Sequence, residues 1–234
     1  MDGNRPDELL SYARELELRD ADVAARIEAA GALLARVDEV RERARRVGHA
    51  LAELPGEIEH AEEALGAARA READAVRDLA EAERECERVQ GSKRAGEETR
   101  LAAERGRRRA AVAVTDAADA VSRSEERLRQ ARSDEVALQA ETEGLAVEAR
   151  AVAQDVAELP RLSETGRAAP GTSLEQIDEW GARAHAAIFV VRGSLDAERD
   201  RLVHEANAMA TAALGEQVAG ASVALVRRRL EEEL

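Results

Sequence analysis

One hydrophobic register runs from Leu9 to Val89 without a change of phase. Its a positions are Leu9, Leu16, Val23, Ala30, Val37, Ala44, Leu51, Ile58, Leu65, Glu72, Leu79 and Cys86. Its d positions begin at Tyr12, Arg19 and Arg26, continue through Leu33, Val40, Val47 and Leu54, and close on Ala61, Ala68, Ala75, Ala82 and Val89. A seven-residue apolar repeat held for eleven heptads marks a long helix that buries one stripe against another helix.

Composition supports the same reading. Of 234 residues, 52 are alanine, so about half of the 44% hydrophobic content is one methyl group per residue. The aromatics are Tyr12, Trp180 and Phe189 alone. Aromatic side chains usually dominate the burial energy of a globular core, and three cannot fill one. A charged fraction of 36% alongside regular Leu, Val and Ile indicates helical rods rather than disorder.

Pro6 followed by Asp7 and Glu8 suits a helix start, since proline is tolerated in the first turn and acids there complement the dipole. Pro55-Gly56 interrupts the backbone but not the phase, so a kink or a break between two collinear helices is expected there. The register fails after Val89. Residues 90–96 (Gln-Gly-Ser-Lys-Arg-Ala-Gly) form a turn, with Gly106 a weaker second candidate.

A second register starts at Ala110. Its a positions are Val114, Val121, Leu128, Glu135, Thr142, Ala149 and Val156; its d positions run from Ala110 through Ala117, Ser124, Ala131, Leu138, Leu145 and Val152 to Leu159. Pro160 ends it. Residues 160–173 read as a linker, with Pro160, Gly166, Pro170 and Gly171 close together. Thr172 and Ser173, followed by Glu175 and Gln176, form overlapping capping boxes for a third helix. Its expected seam is Leu174, Ile177, Gly181, Ala184, Ile188, Val191, Leu195, Glu198, Leu202, Glu205, Met209 and Ala212, with Gly215 as its stop. Ser222 is placed to cap a short final helix bearing Val223, Val226 and Leu230.

The chain is therefore expected to be all-α: an elongated antiparallel coiled-coil hairpin whose base is closed by a third long helix, making three or four helices there. The divisions are 1–55, 56–159, 160–173 and 174–234. Short connections favour neighbouring elements, so with the turn centred near residue 93, position 58 faces about 129. An unbroken arm from 9 to 89 would span about 120 Å. The third helix would lie along residues 9–50 and bring Tyr12, Trp180 and Phe189 to one end. A parallel homodimer through the same stripe is the rival architecture. The run Leu51 to Pro55 recurs as Val156 to Pro160 with one substitution, at two places where a long helix should break.

No motif points to catalysis. Lys93, the single lysine, is neither directly preceded by glycine nor followed by Ser or Thr, so no phosphate-binding loop forms around it. His204-Glu205 lacks the second histidine of a zinc-binding helix, because position 208 is alanine. Cys86 stands alone and sits on the seam, so neither a disulfide framework nor a cysteine-rich metal site is expected. No cofactor is expected. Glu72 and Glu135 at a positions suit register setting or solvent exposure.

The net charge of −14 opposes broad binding to nucleic acid or anionic lipid. One region departs from it. Residues 91–110 hold Lys93, Arg94, Arg100, Arg105, Arg107, Arg108 and Arg109 against Glu97, Glu98 and Glu104, a local +4. In a hairpin this lies at the tip, where it would contact an anionic partner. A second candidate surface is the bulky part of the third helix, with Trp180, Ile188, Phe189 and Val191, joined by Tyr12 at the base. Without a signal-peptide pattern or an apolar run near 20 residues, the expectation is a cytoplasmic, non-enzymatic scaffold that contacts a protein partner or a second copy. Nucleic-acid association through the basic tip, of the chromosome-organisation type, is the alternative.

Overall fold

The computed structural model describes residues 5–164, 166–215 and 222–233. Four helices account for almost all of them: α1 (Arg5–Gly91), α2 (Glu97–Ala157), α3 (Leu174–Leu214) and α4 (Val223–Glu233). No strand occurs among the described residues. The expected all-α hairpin with further helices is what forms.

The sequence signals act where they stand. Asp7 and Glu8 occupy the first turn of α1. The chain leaves helix after Gly91 and re-enters it at Glu97, so residues 92–96 are the turn. Gly106 lies inside α2. Ser173 caps α3 through a complete capping box with Gln176, and Gly215, at φ 75°, closes it in the left-handed conformation that glycine adopts without strain. The Leu225 amide donates to Ser222 Oγ at 3.3 Å at the start of α4. The break allowed for at Pro55 does not occur, because α1 remains helical through it. The two Leu/Val-Ala-Glu-Leu-Pro runs therefore do different things: the first lies within α1, and only the second ends a helix.

The chain divides into two compact units, 1–46 with 142–234, and 47–141. In the first unit, α1, α2 and α3 build a core containing Leu16, Val37, Val40, Leu145, Val152, Val156, Ile177, Trp180, Ile188 and Leu195. Opposite flanks of the α1–α2 seam are closed differently. Residues preceding the a positions form ion pairs: Arg36 with Asp155 at 2.6 Å and Arg43 with Glu148 at 2.7 Å. Residues following the d positions (Ala13, Leu34 and Ala146) are buried instead. That flank takes α3, which runs antiparallel to α1: Asp20 meets Arg199, Asp38 meets His185, and Arg41 meets Asp178. Short α4 buries Val223, Val226 and Leu230, and Arg227 reaches Glu17 at 2.7 Å.

The linker is folded onto this unit rather than extended. Leu159, Leu162, Gly166 and Pro170 are all buried. Arg161 takes a positive φ of 64° and ties back to Glu198 at 2.9 Å.

The second unit is a two-helix hairpin. Few of its residues are fully buried, chiefly Val47, Leu54, Leu65, Ala68, Cys86, Val89 and Ala131. Every other a and d residue within it is half-buried, Glu72 and Glu135 included. Ion pairs cross it from Glu62 to Arg132 and from Arg69 to Glu125, both at 2.9 Å. The two pairs keep one antiparallel register, seven residues further along α1 matching seven residues back along α2.

Two expectations fail in the first unit. The seam of α3 shifts after Leu202: Ala206 and Ala210 are buried, while Glu205 and Ala212 are exposed. The aromatics do not share one end. Tyr12 hydrogen-bonds Glu205, whereas Trp180 sits two residues from Asp178, the partner of Arg41. Antiparallel packing separates 12 from 41 along α1, about 43 Å of helix.

Candidate functional site

The basic segment begins at the hairpin turn and continues into the first turns of α2. Lys93, Arg94, Arg100, Arg105, Arg107, Arg108 and Arg109 are all exposed. The turn is held locally: the Arg94 amide donates to Ser92 Oγ at 3.4 Å, and the Arg100 guanidinium donates to the Ser92 carbonyl at 3.2 Å. Arg108 pairs with Glu104 at 2.6 Å.

Two features dilute this charge. At 100° per residue the α2 arginines radiate around the helix: Arg100 and Arg107 share one side, Arg105 and Arg109 the other. No single basic face results. The hairpin also returns the acidic end of α1 beside them. Residues 81–110 contain nine bases and seven acids, a net of only +2. Arg88 is bound to Glu85, at 2.6 and 2.8 Å, which holds the Glu85 carboxyl below its ordinary pKa and the Arg88 guanidinium above its own.

The second candidate surface divides sharply. Trp180, Ile188 and Val191 are core residues of the first unit and contact no solvent of consequence. Tyr12 is partly exposed and donates its hydroxyl to Glu205, which raises the Tyr12 pKa. Phe189 and Val190 point outward, 65% and 70% exposed, between buried Ile188 and Val191. The sequence signal for this was available: Phe189 and Val190 lie off the apolar seam by one residue on either side.

Open grooves accompany these features. On the hairpin, Gly56, Ala61, Ala64 and Ala131 line one together with Glu57 and Asp134. In the first unit, Pro6, Leu9, Tyr12 and Met209 line another between the start of α1 and the end of α3. Among the described residues no group of three or more His, Cys, Asp or Glu side chains could hold a metal ion. The histidines are dispersed: His185 faces Asp38 at 2.8 Å, and His204 meets the Asp200 carbonyl at 2.7 Å. Cys86 is buried on the seam, with the Gln90 side-chain amide 3.4 Å from its sulfur. No described helix is long and apolar enough to cross a membrane.

The fold and these surfaces define an all-α helical-hairpin protein with further packed helices. Comparison with family models, curated proteins and solved structures gives no match for this chain.

Proposed function

We propose that the chain is a non-enzymatic coiled-coil scaffold of the cytoplasm that works by protein–protein contact, with the outer face of α3 as a contact surface. One observation carries the reading. Phe189 and Val190 are adjacent, bulky and largely exposed on a helix whose other large apolar residues are buried or half-buried. Aromatic residues so placed are enriched at the centres of protein interfaces.

Nucleic-acid association through the tip is the second reading, favoured by the exposure of all seven basic residues. Their spread around α2 and the modest local charge of +2 weigh against it. No aromatic residue lies near them to stack on bases.

A photo-crosslinking residue placed at Val190 in the producing cell tests the first reading. Discrete protein adducts are expected; their absence overturns it. Titration with duplex DNA tests the second, which requires salt-sensitive binding that falls when Arg105, Arg107 and Arg109 become glutamate.

A further inference from the structure

Six uncharged residues form a stripe on the outer side of α3: Ala182, Ala186, Phe189, Val190, Gly193 and Ala197. At 3.6 residues per turn they fall within an arc of about 100°. Ala182 is half-buried and the other five are exposed. Gly193 has open space where a Cβ would stand.

The steps between them are four, three, one, three and four residues. That series is the same in both directions. A second α3 laid antiparallel, with a two-fold axis between positions 189 and 190, therefore sets Ala182 against Ala197, Ala186 against Gly193, and Phe189 against Val190. Each contact occurs twice. Small residues at both ends let the helix axes approach, while the bulky pair interlocks at the centre.

The geometry points to a second copy of this chain as the occupant of the face, docked by antiparallel two-fold pairing centred between Phe189 and Val190. This rests on the contact-surface reading above and names its partner. Charge at its ends balances in number, although Glu179 stands level with Asp200 of the other copy. Each end of the pairing gathers Glu179 and Arg183 of one copy with Asp200 and Arg201 of the other, two acids with two bases. Glu179, Arg183 and Arg201 form no ion pair among the described residues, so they are free to do so across the axis. Parallel pairing would instead set each charge beside its own kind. A stripe of about 22 Å is short for a stable dimer, so the association is expected to be concentration-dependent.

Sedimentation equilibrium of the full chain tests this. The mass should rise from 25.3 kDa toward a dimer as concentration passes from about 1 to 100 µM. Phe189→Glu should weaken dimerisation at least about tenfold with helicity and melting of the dilute protein unchanged. Register is read with cysteines in a Cys86→Ala background. A mixture of Ala182→Cys and Ala197→Cys chains should form a disulfide between the two variants, and Ala182→Cys alone should not. A monomer at every concentration, a dimer indifferent to Phe189→Glu, or self-crosslinking of Ala182→Cys overturns the pairing. If the purified chain is monomeric while a crosslinker at 190 captures a different protein, the self-pairing falls and the contact reading stands. If no adduct forms either, both fall.

Discussion

Arg41 of α1 donates from Nε to Asp178 of α3 at 2.6 Å, beside a close approach of the two helices. A Cβ on Gly181, one turn beyond Asp178, would lie 3.2 Å from the Arg41 Cβ. Arg45 reaches the same carboxylate oxygen at 2.9 Å, so Asp178 serves two guanidinium groups. Asp178→Ala should therefore destabilise the first unit by about 1–2 kcal/mol, near the range for a charged hydrogen bond reduced by partial exposure. Denaturant melts read this, and the gap between parent and variant should narrow in high salt.

Trp180 is the largest side chain in the core and is only 1% exposed, yet its indole N–H has no acceptor among the described residues. Its contribution is therefore packing. Trp180→Ala should cost about 3–5 kcal/mol. Trp180→Phe should cost markedly less, because it leaves no hydrogen bond broken and keeps most of the ring. Equal losses in equilibrium unfolding would show that the N–H has a partner.

Gly166 ties the linker to α3. A Cβ there would meet the Ala187 Cβ at 2.6 Å and Leu162 Cγ at 3.0 Å. Gly166→Ala should destabilise by about 1–3 kcal/mol through overpacking, whereas Gly193→Ala, which meets open space, should stabilise α3 by about 1 kcal/mol through helix propensity. Paired thermal melts of dilute protein distinguish the two glycines.

These sites show what the sequence could and could not announce. The two heptad registers were legible because Leu and Val recur at a fixed period, and every a and d residue from Arg26 to Val89 and from Ala110 to Leu159 is buried or half-buried. Burial of Ala13, Leu34 and Ala146 was not legible. It depends on which flank of the seam α3 takes, and a two-helix register does not encode that choice. The seam of α3 was lost after Leu202 because Ala206, Ala208, Ala210 and Ala212 give alternating positions the same side chain and no contrast between faces. The tip charge was legible as a count but not as a net field, since Glu81, Glu83, Glu85 and Glu87 join it only when the hairpin closes.

Proline has opposite effects in the two arms of the hairpin. Pro55 is exposed within α1, which remains helical around it. Its ring removes one backbone hydrogen bond there. Pro55→Ala should stabilise the hairpin by about 2 kcal/mol, the propensity gain of about 3 reduced by the looser unfolded chain. Leu128→Pro, on the half-buried seam of α2, should cost about 3 kcal/mol or more. Circular dichroism melts of both variants check the pair of signs.

Tyr12 is the chain's single tyrosine, so tyrosinate absorbance reports on it alone. Its hydroxyl donates to Glu205, and that bond is the main reason its pKa is raised; slight burial and the Glu205 and Glu15 charges add to it, while Arg19 opposes it. The titration midpoint should lie above the ordinary tyrosine value of about 10. Glu205→Ala should lower it, and Arg19→Ala should raise it further. The sign for stability follows from linkage. A group whose pKa is higher in the folded chain stabilises it below the unfolded value, and that contribution disappears as pH rises through the folded value. Alkaline melts should therefore show the parent losing stability above about pH 10 relative to Tyr12→Phe, which cannot ionise. A midpoint unmoved by Glu205→Ala would show that α1 and α3 do not meet at these two residues.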